Sequence, residues 1–260
     1  MPEATTEDEA PGADAASSLS SGIGPAVPPP PKPKRPWIVD FYSSDVGKKW
    51  VMAVTGLMLL GFVLVHMIGN LKVFLGPDEI NLYGESLRDL GGHLVPRTSL
   101  LWILRIGLVA AFGLHILAAA QLTASNRRAR GERGQAPRDY VAANFASRTM
   151  RWTGIIVAAF IVYHLLDLTW GVTNPDFVRG DVYDNMVASF ERVPVAVVYI
   201  VANILLGIHI FHGAWSMFQS LGVNNPRFNL WRRYFAVGFA SLIVVGNVSM
   251  PVAVQLGIIS

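Results

Sequence analysis

The chain has 260 residues and no cysteine, and 52% of its residues are hydrophobic while only 15% are charged. This composition excludes a soluble globular domain and indicates a polytopic membrane protein. The lack of cysteine excludes disulfides, thiolate-bound zinc and an iron–sulfur cluster held by this chain. The net charge of +3 does not predict nucleic-acid binding, because the arginines gather beside apolar segments, where membrane topology explains them.

The chain begins with a segment, residues 1–36, that is rich in Ala, Ser, Pro and acidic residues and ends in PPPPKPKRP. Such a segment cannot bury enough apolar surface to fold, so it predicts a disordered cytoplasmic tail. Five apolar segments follow, each long enough to cross about 30 Å of hydrocarbon as a helix. We predict an all-α membrane domain over residues 37–260, with transmembrane helices near 50–73, 100–124, 151–171, 194–220 and 234–258. Between the first two helices, NLYGESLRDLGGH predicts a short amphipathic segment at the surface.

Basic residues predict how the helices are oriented. The connection between helices two and three holds six arginines: Arg127, Arg128, Arg130, Arg133, Arg138 and Arg148. The connection between helices three and four is acidic instead, with Asp176, Asp181, Asp184 and Glu191. Because basic loops stay in the cytoplasm, we predict a cytoplasmic N-terminus and an external C-terminus.

Four of the five apolar segments carry an internal histidine: His66, His115, His164 and His209. Ionisable groups are costly in hydrocarbon and usually mark a cofactor or a proton path, and neutral imidazoles are common axial ligands of haem iron. At about 1.5 Å per residue, His66 and His164 lie roughly 20 to 24 Å from the inner ends of their helices. His115 and His209 lie about 22 Å from their outer ends on the same rise. The histidines therefore form an outer pair and an inner pair; the alternative for each is a hydrogen bond between helices.

Two further ionisable residues lie in the predicted spans near their outer ends. Arg105 and Asp167 could pair with each other, which would lower the cost of burying each charge. Alternatively, Arg105 could bind a propionate of the outer haem, because a guanidinium suits a carboxylate.

Three runs of sequence carry a family resemblance: SSDVGKKWVMAVTGLMLLGFVLVHMIGN, VYHLLDLTW and HIFHGAWSMFQSLGVNNPRFN. They resemble the cytochrome b subunit of succinate:quinone oxidoreductases, specifically its single-chain, five-helix, di-haem b558 type. The similarity extends from about Phe41 to the C-terminus. The most specific part is the His-x3-Gly-x-Trp-Ser pattern on helix four, followed by a Gly-x-Asn-x-Pro turn.

The resemblance implies two haem b groups, the outer one held by His66 and His164 and the inner one by His115 and His209. His212, one turn beyond His209, is a competing ligand on helix four. Alignment with the Gly-x-Trp-Ser element favours His209, which leaves His212 for a propionate, a proton or quinone. His93 lies in an outer loop, where we expect no metal ligation. Lys48, Trp50 and other basic and aromatic residues near the inner face fit an ordinary interfacial belt, a quinone headgroup site or a docking surface.

No Gly-rich dinucleotide motif or hydrophilic domain is present, so dicarboxylate chemistry requires other chains. The resemblance implies a flavoprotein and an iron–sulfur partner, which this subunit anchors to the cell membrane while it carries electrons to quinone, with menaquinone favoured. This is a role in respiratory electron transport and the tricarboxylic acid cycle. Two alternatives remain: the membrane subunit of a quinol:fumarate reductase, and a haem-free scaffold or proton-relay protein.

Overall fold

The structure, a computed structural model, describes residues 36–132, 141–223 and 225–260, without the side chains of 130–132 and 141–148. The chain divides into Met1–Pro36, of which only Pro36 is described, and Trp37–Ser260. The predicted disordered tail therefore lies outside the described residues. So do Arg133 and Arg138 of the predicted basic connection and the side chains of Arg130 and Arg148.

The described residues form α-helices and short helical extensions, with no strand among them, as the all-α prediction requires. The helices are α1 (Trp37–Ser43), α2 (Asp45–Asn70), α3 (Pro77–Ser86), α4 (Ser99–Glu132), α5 (Val141–His164), α6 (Val182–Glu191), α7 (Val193–Ser220) and α8 (Pro226–Gln255). A 3₁₀ segment, Leu71–Leu75, extends α2, and a π-helical segment, Leu165–Thr169, extends α5. Five helices are long and apolar enough to cross a membrane: α2, α4, α5, α7 and α8. The prediction of five such helices is confirmed.

Three spanning helices, α2, α5 and α8, begin at least five residues earlier than the hydropathy predicted. Helix α2 begins at Asp45, because the Ser44 hydroxyl accepts a 2.9 Å hydrogen bond from the N–H of Gly47. Helix α8 begins at Pro226, not near Tyr234, because the Asn225 side chain accepts from the N–H of Arg227 and a proline suits the first helical turn. The residues between Pro226 and Tyr234, which precede the predicted fifth span, are therefore helical.

The four helices that carry the histidines pack around one another. Helix α2 packs against α4 and α7, and α5 packs chiefly against α7. Helix α8, which carries no histidine, packs against α7 and the side of α2. Small residues allow the close approach of α7 and α8: a Cβ added at Gly207 of α7 would lie 3.8 Å from the carbonyl oxygen of Ala240 of α8. The four histidine-bearing helices, α2, α4, α5 and α7, are thus linked through the contacts of α2 and α7.

The short helices α3 and α6 lie together at one end of the bundle, which we call the cap end. Asn81 joins them: its amide donates to Asp181, and its carbonyl oxygen accepts from the N–H groups of Val182 and Tyr183 at 2.7 and 3.1 Å. Burial opposes ionisation of Asp181, but hydrogen bonds from Asp184 and Asn81 outweigh it and lower its pKa. The short amphipathic segment predicted from Asn81 onward thus begins within α3, whereas α6 was not predicted.

Most of the buried apolar side chains at the cap end form one cluster, the cap cluster. Its members are Val73, Ile80, Met186, Val187, Phe190, Tyr199, Met250, Ala253, Val254 and Ile259. They come from α3, α6, α7, α8 and adjoining segments, so burying them ties these elements together.

Candidate haem sites

The first histidine pair, His66 of α2 and His164 at the end of α5, lies toward the cap end. Their ring centroids are 5.9 Å apart and their planes are nearly perpendicular, at 84°. Two imidazoles that share a metal at about 2 Å from each nitrogen place their ring centroids roughly 6 Å apart. The spacing of this pair therefore suits one metal ion between the two rings.

Hydrogen bonds indicate which nitrogen of His164 is free. Its Nδ1 lies 3.4 Å from the hydroxyl oxygen of Tyr199, and that hydroxyl donates to the Asp167 carboxylate at 3.0 Å. Because the tyrosine hydrogen is already used, the oxygen accepts from an N–H at Nδ1. The Nε2 lone pair of His164 then remains for a metal. On His66, Nε2 lies 3.2 Å from the amide nitrogen of Asn70.

The second pair, His115 of α4 and His209 of α7, lies farther from the cap end. Nδ1 of His115 is 3.2 Å from the Thr55 hydroxyl and 3.2 Å from the Met52 carbonyl oxygen. The Thr55 hydroxyl donates to the carbonyl of Val51 at 2.7 Å, so its oxygen accepts from Nδ1–H. Both partners thus require a hydrogen on Nδ1, which leaves Nε2 of His115 free to bind a metal.

The surroundings of His209 repeat this arrangement on the other half of the bundle. Its Nδ1 lies 3.3 Å from the Thr153 hydroxyl, which donates to the carbonyl of Thr149 at 2.7 Å, and it also bonds the backbone of Met150. His115 and His209 thus have matching contacts at Nδ1, and Nε2 of each is left for a metal.

Glycines next to the two threonines make room for the rings. A Cβ added at Gly56 would lie 3.4 Å from Cε1 of His115, and one added at Gly154 would lie 3.2 Å from Cε1 of His209. Side chains at these positions would press on imidazoles that are held by short polar contacts. In each Thr-Gly pair, the threonine therefore orients the histidine ring and the glycine leaves space for it.

We expect Gly154→Val to displace the His209 ring and lower the haem content of the purified complex. The branched side chain would occupy the space against Cε1, where even a methyl group is tight. Haem per complex, measured as the pyridine haemochrome, tests this. Gly238→Val is the matched control, because a Cβ at Gly238 meets no atom within 4 Å and α8 carries no histidine. Full haem content in the Gly154 variant would contradict the tight fit.

The contacts of the second pair reveal a repeat that the sequence analysis missed. Helices α2 and α5 share the pattern Met-x2-Thr-Gly-x5-Phe-x3-His, which begins at Met52 and at Met150. Helices α4 and α7 share Gly-(Leu/Ile)-His-Ile, around His115 and His209. Each histidine pair thus combines equivalent positions of two similar helix pairs. A search for self-similarity would have found Thr55, Gly56, Thr153 and Gly154.

The repeated phenylalanines lie one turn before the first histidine pair. Phe62 stacks on His66 with ring centroids 5.2 Å apart, and Phe160 lies 6.0 Å from His164 with its ring tilted. These contacts limit the rotation of both imidazoles.

The predicted pairing of Arg105 with Asp167 is wrong. Asp167 is fully buried and accepts a 2.8 Å hydrogen bond from Arg192 and one from Thr173. Arg105 is exposed, with its guanidinium 5.2 Å from the centroid of the Trp102 ring. Arg192 precedes α7, so a residue close in space and distant in sequence supplies the counter-charge. The other prediction for Arg105, contact with a haem propionate, stays a prediction.

The remaining predicted residues lie around these pairs. His212 is partly buried one turn from His209, with its ring beside Phe211 at 5.0 Å. His93 is exposed. At the end opposite the cap, Trp152 is exposed and Arg232 is buried over the ring of Trp215 at 5.5 Å. Arg232 donates to the carbonyl of Val223, so it fastens the turn before α8.

A family model described as succinate dehydrogenase/fumarate reductase transmembrane subunit matches residues 140–248. The match confirms the family resemblance drawn from the sequence. It covers all of α5, α6 and α7 and most of α8, and it includes His164 and His209. Together with the five apolar helices, it identifies the chain as a multi-pass membrane protein. Searches of curated proteins and of solved structures gave no significant match.

Proposed function

We propose that the chain is the di-haem cytochrome b subunit that anchors a succinate dehydrogenase to the membrane. In this proposal it carries electrons from an iron–sulfur partner to quinone, with menaquinone favoured. The observation that carries the proposal is the spacing of His66 and His164, whose ring centroids are 5.9 Å apart. The matching Nδ1 contacts of His115 and His209 add support. The family match adds support, because the matched family consists of membrane subunits of such oxidoreductases.

The donor set fits two haems. His115, His164 and His209 each have an oxygen partner at Nδ1, which leaves Nε2 for iron, and His66 faces His164. When bound, haem supplies a reversible one-electron carrier, and two axial imidazoles leave no open position for oxygen. The chain's own part is to orient the rings and to hold the two sites at different depths.

The positions of the sites and the distribution of charge support an orientation. Arg127, Arg128 and Lys48 belong to the end of the bundle opposite the cap. Because basic residues favour the cytoplasmic side, we place this end inside and the cap end outside. The flavoprotein and iron–sulfur partners would then dock at the basic end, nearest the second pair, His115 and His209. The first pair, His66 and His164, would lie toward the outer surface.

The matched family also includes fumarate reductases, which run the reverse reaction. Direction depends on the potentials of the quinone and the partner subunits, and succinate:quinone and quinol:fumarate activities of the purified complex distinguish the two.

A reduced-minus-oxidised spectrum of the complex, purified by a tag on this chain, tests the proposal. We expect a b-type α-band and two haems per copy of this chain, with a flavoprotein and an iron–sulfur protein co-purifying. A colourless preparation would refute haem binding and favour the scaffold or proton-relay alternative. Succinate:quinone reductase activity in the same preparation would establish the direction of electron transfer.

A further inference from the structure

The two histidine pairs differ in what lies behind their rings. His115 and His209 contact threonine hydroxyls and backbone carbonyls, which are neutral. His164 instead contacts a tyrosine that is bonded to a buried carboxylate. The chain from Nδ1 of His164 through the Tyr199 hydroxyl to Asp167 is thus the one polar path from a paired histidine to a charged side chain in the hydrogen bonds of the described residues.

The Asp167 carboxylate is held as an acceptor. It is fully buried, and its contacts are donors: Arg192 at 2.8 Å, Tyr199 at 3.0 Å and Thr173 at 3.1 Å. An ionised carboxylate accepts hydrogen bonds and does not donate them, so these contacts suit the charged form. Arg192 is itself fixed by bonds to the carbonyls of Thr173 and Ala188. The π-helical segment that follows His164 contains Asp167.

Tyr199 cannot readily move away from His164. It is 4% exposed and lies within the cap cluster. The rings of Phe160, Tyr163 and Phe190 surround it, with centroids 5.1, 6.1 and 4.9 Å away. Aromatic packing of this kind locks a side chain in one rotamer, so the hydroxyl is held where Nδ1 of His164 meets it.

On the basis of the proposed function, we infer that Tyr199, backed by Asp167, is a positioning residue for His164 that lowers the reduction potential of the haem at the cap end. A metal-bound histidine that donates through its other nitrogen toward a carboxylate is fixed in orientation and becomes a stronger donor to the metal. A stronger donor stabilises the oxidised iron more than the reduced iron. Hydrogen bonds to axial ligands therefore tune haem potentials.

Redox titration of the whole purified complex, followed optically and by electron paramagnetic resonance, tests the inference. We expect Tyr199→Phe to raise the midpoint potential of the cap-end haem and change its ferric signal, with the other haem unaltered. Asp167→Asn should shift the potential in the same direction, because it removes a buried negative charge and weakens the acceptor of the Tyr199 hydroxyl. Tyr183→Phe is the matched control, since it removes a cap-end hydroxyl that bonds the carbonyl of Ser260 and has no contact with His164 or Asp167 among those described. The cap-end haem is identified as the signal absent from His164→Ala.

The outcomes separate this inference from the proposed function. Loss of the cap-end haem alone in Tyr199→Phe would support the positioning role. An unchanged midpoint potential with both haems present would overturn it and leave the proposed function intact. Loss of both haems would show a general role in folding and would also overturn it. If the unaltered complex contained no haem, the proposed function itself would fall.

Discussion

His164→Ala is expected to remove the cap-end haem and leave the other, so that the complex loses about half of its b-type absorbance. His66 alone would provide one axial ligand, and its Nε2 already lies 3.2 Å from the Asn70 amide. His115 and His209 belong to separate helices and contact different partners, so their site should survive. The measurement is haem per complex, with the reduced-minus-oxidised spectrum resolved into its components.

His212→Ala is the matched control for this experiment. His212 lies on α7, one turn from His209, and is assigned to neither pair, so both haems should remain in this variant. Retention of two haems in His164→Ala would refute the first pair. Loss of a haem in His212→Ala with no loss in His209→Ala would show that the second site uses His212.

Arg192→Ala is expected to destabilise the subunit by about 3 kcal/mol, because it leaves the buried Asp167 carboxylate without its counter-charge. Asp167 is fully buried, whereas the Arg192 side chain is 30% exposed. Most of the lost stability therefore comes from a buried carboxylate that has no counter-charge. The thermal midpoint of the detergent-solubilised complex should fall by several degrees. The thermal midpoint should fall less when Asp167→Asn is added, since the amide is uncharged and needs no counter-charge.

Arg97→Ala supplies the comparison. Arg97 forms ion pairs with Glu85 and Asp89 at the same end of the molecule, but all three side chains are more than 40% exposed. Water screens such pairs, so no measurable change in the thermal midpoint is expected. Equal effects of the two arginine variants would contradict the assigned importance of the buried pair.

Hydropathy was enough to predict the five spanning helices, because a nonpolar run of this length in lipid must pair its backbone polar groups internally, as a helix does. Helix limits depended on hydrogen bonds that hydropathy does not register. Asn225 and Pro226 start α8 well before the apolar run from which the fifth span was predicted. Helix α6 was not predicted, because its segment is acidic and contains no long apolar run. Asp181 nevertheless caps it, and five of its ten residues are buried.

The four histidines were identifiable because each is an ionisable group inside an apolar run. Their neighbours were harder to identify, because threonine and glycine are common in membrane helices for packing reasons alone. The contacts of Thr55 and Thr153 become meaningful only when seen beside His115 and His209, or when the two helices are aligned as repeats. Arg192 was not foreseen as the partner of Asp167, because the pair depends on how the chain turns between α5 and α7.

The cap cluster has a consequence for local unfolding. A short helix at the surface of a membrane protein ordinarily opens on its own, and its backbone amides exchange quickly with solvent deuterium. Helix α6 instead buries Met186, Val187 and Phe190 against the ends of α7 and α8. Opening it would expose side chains from all three helices, so the amides of α6 should be protected nearly as long as those of the spanning helices beside it.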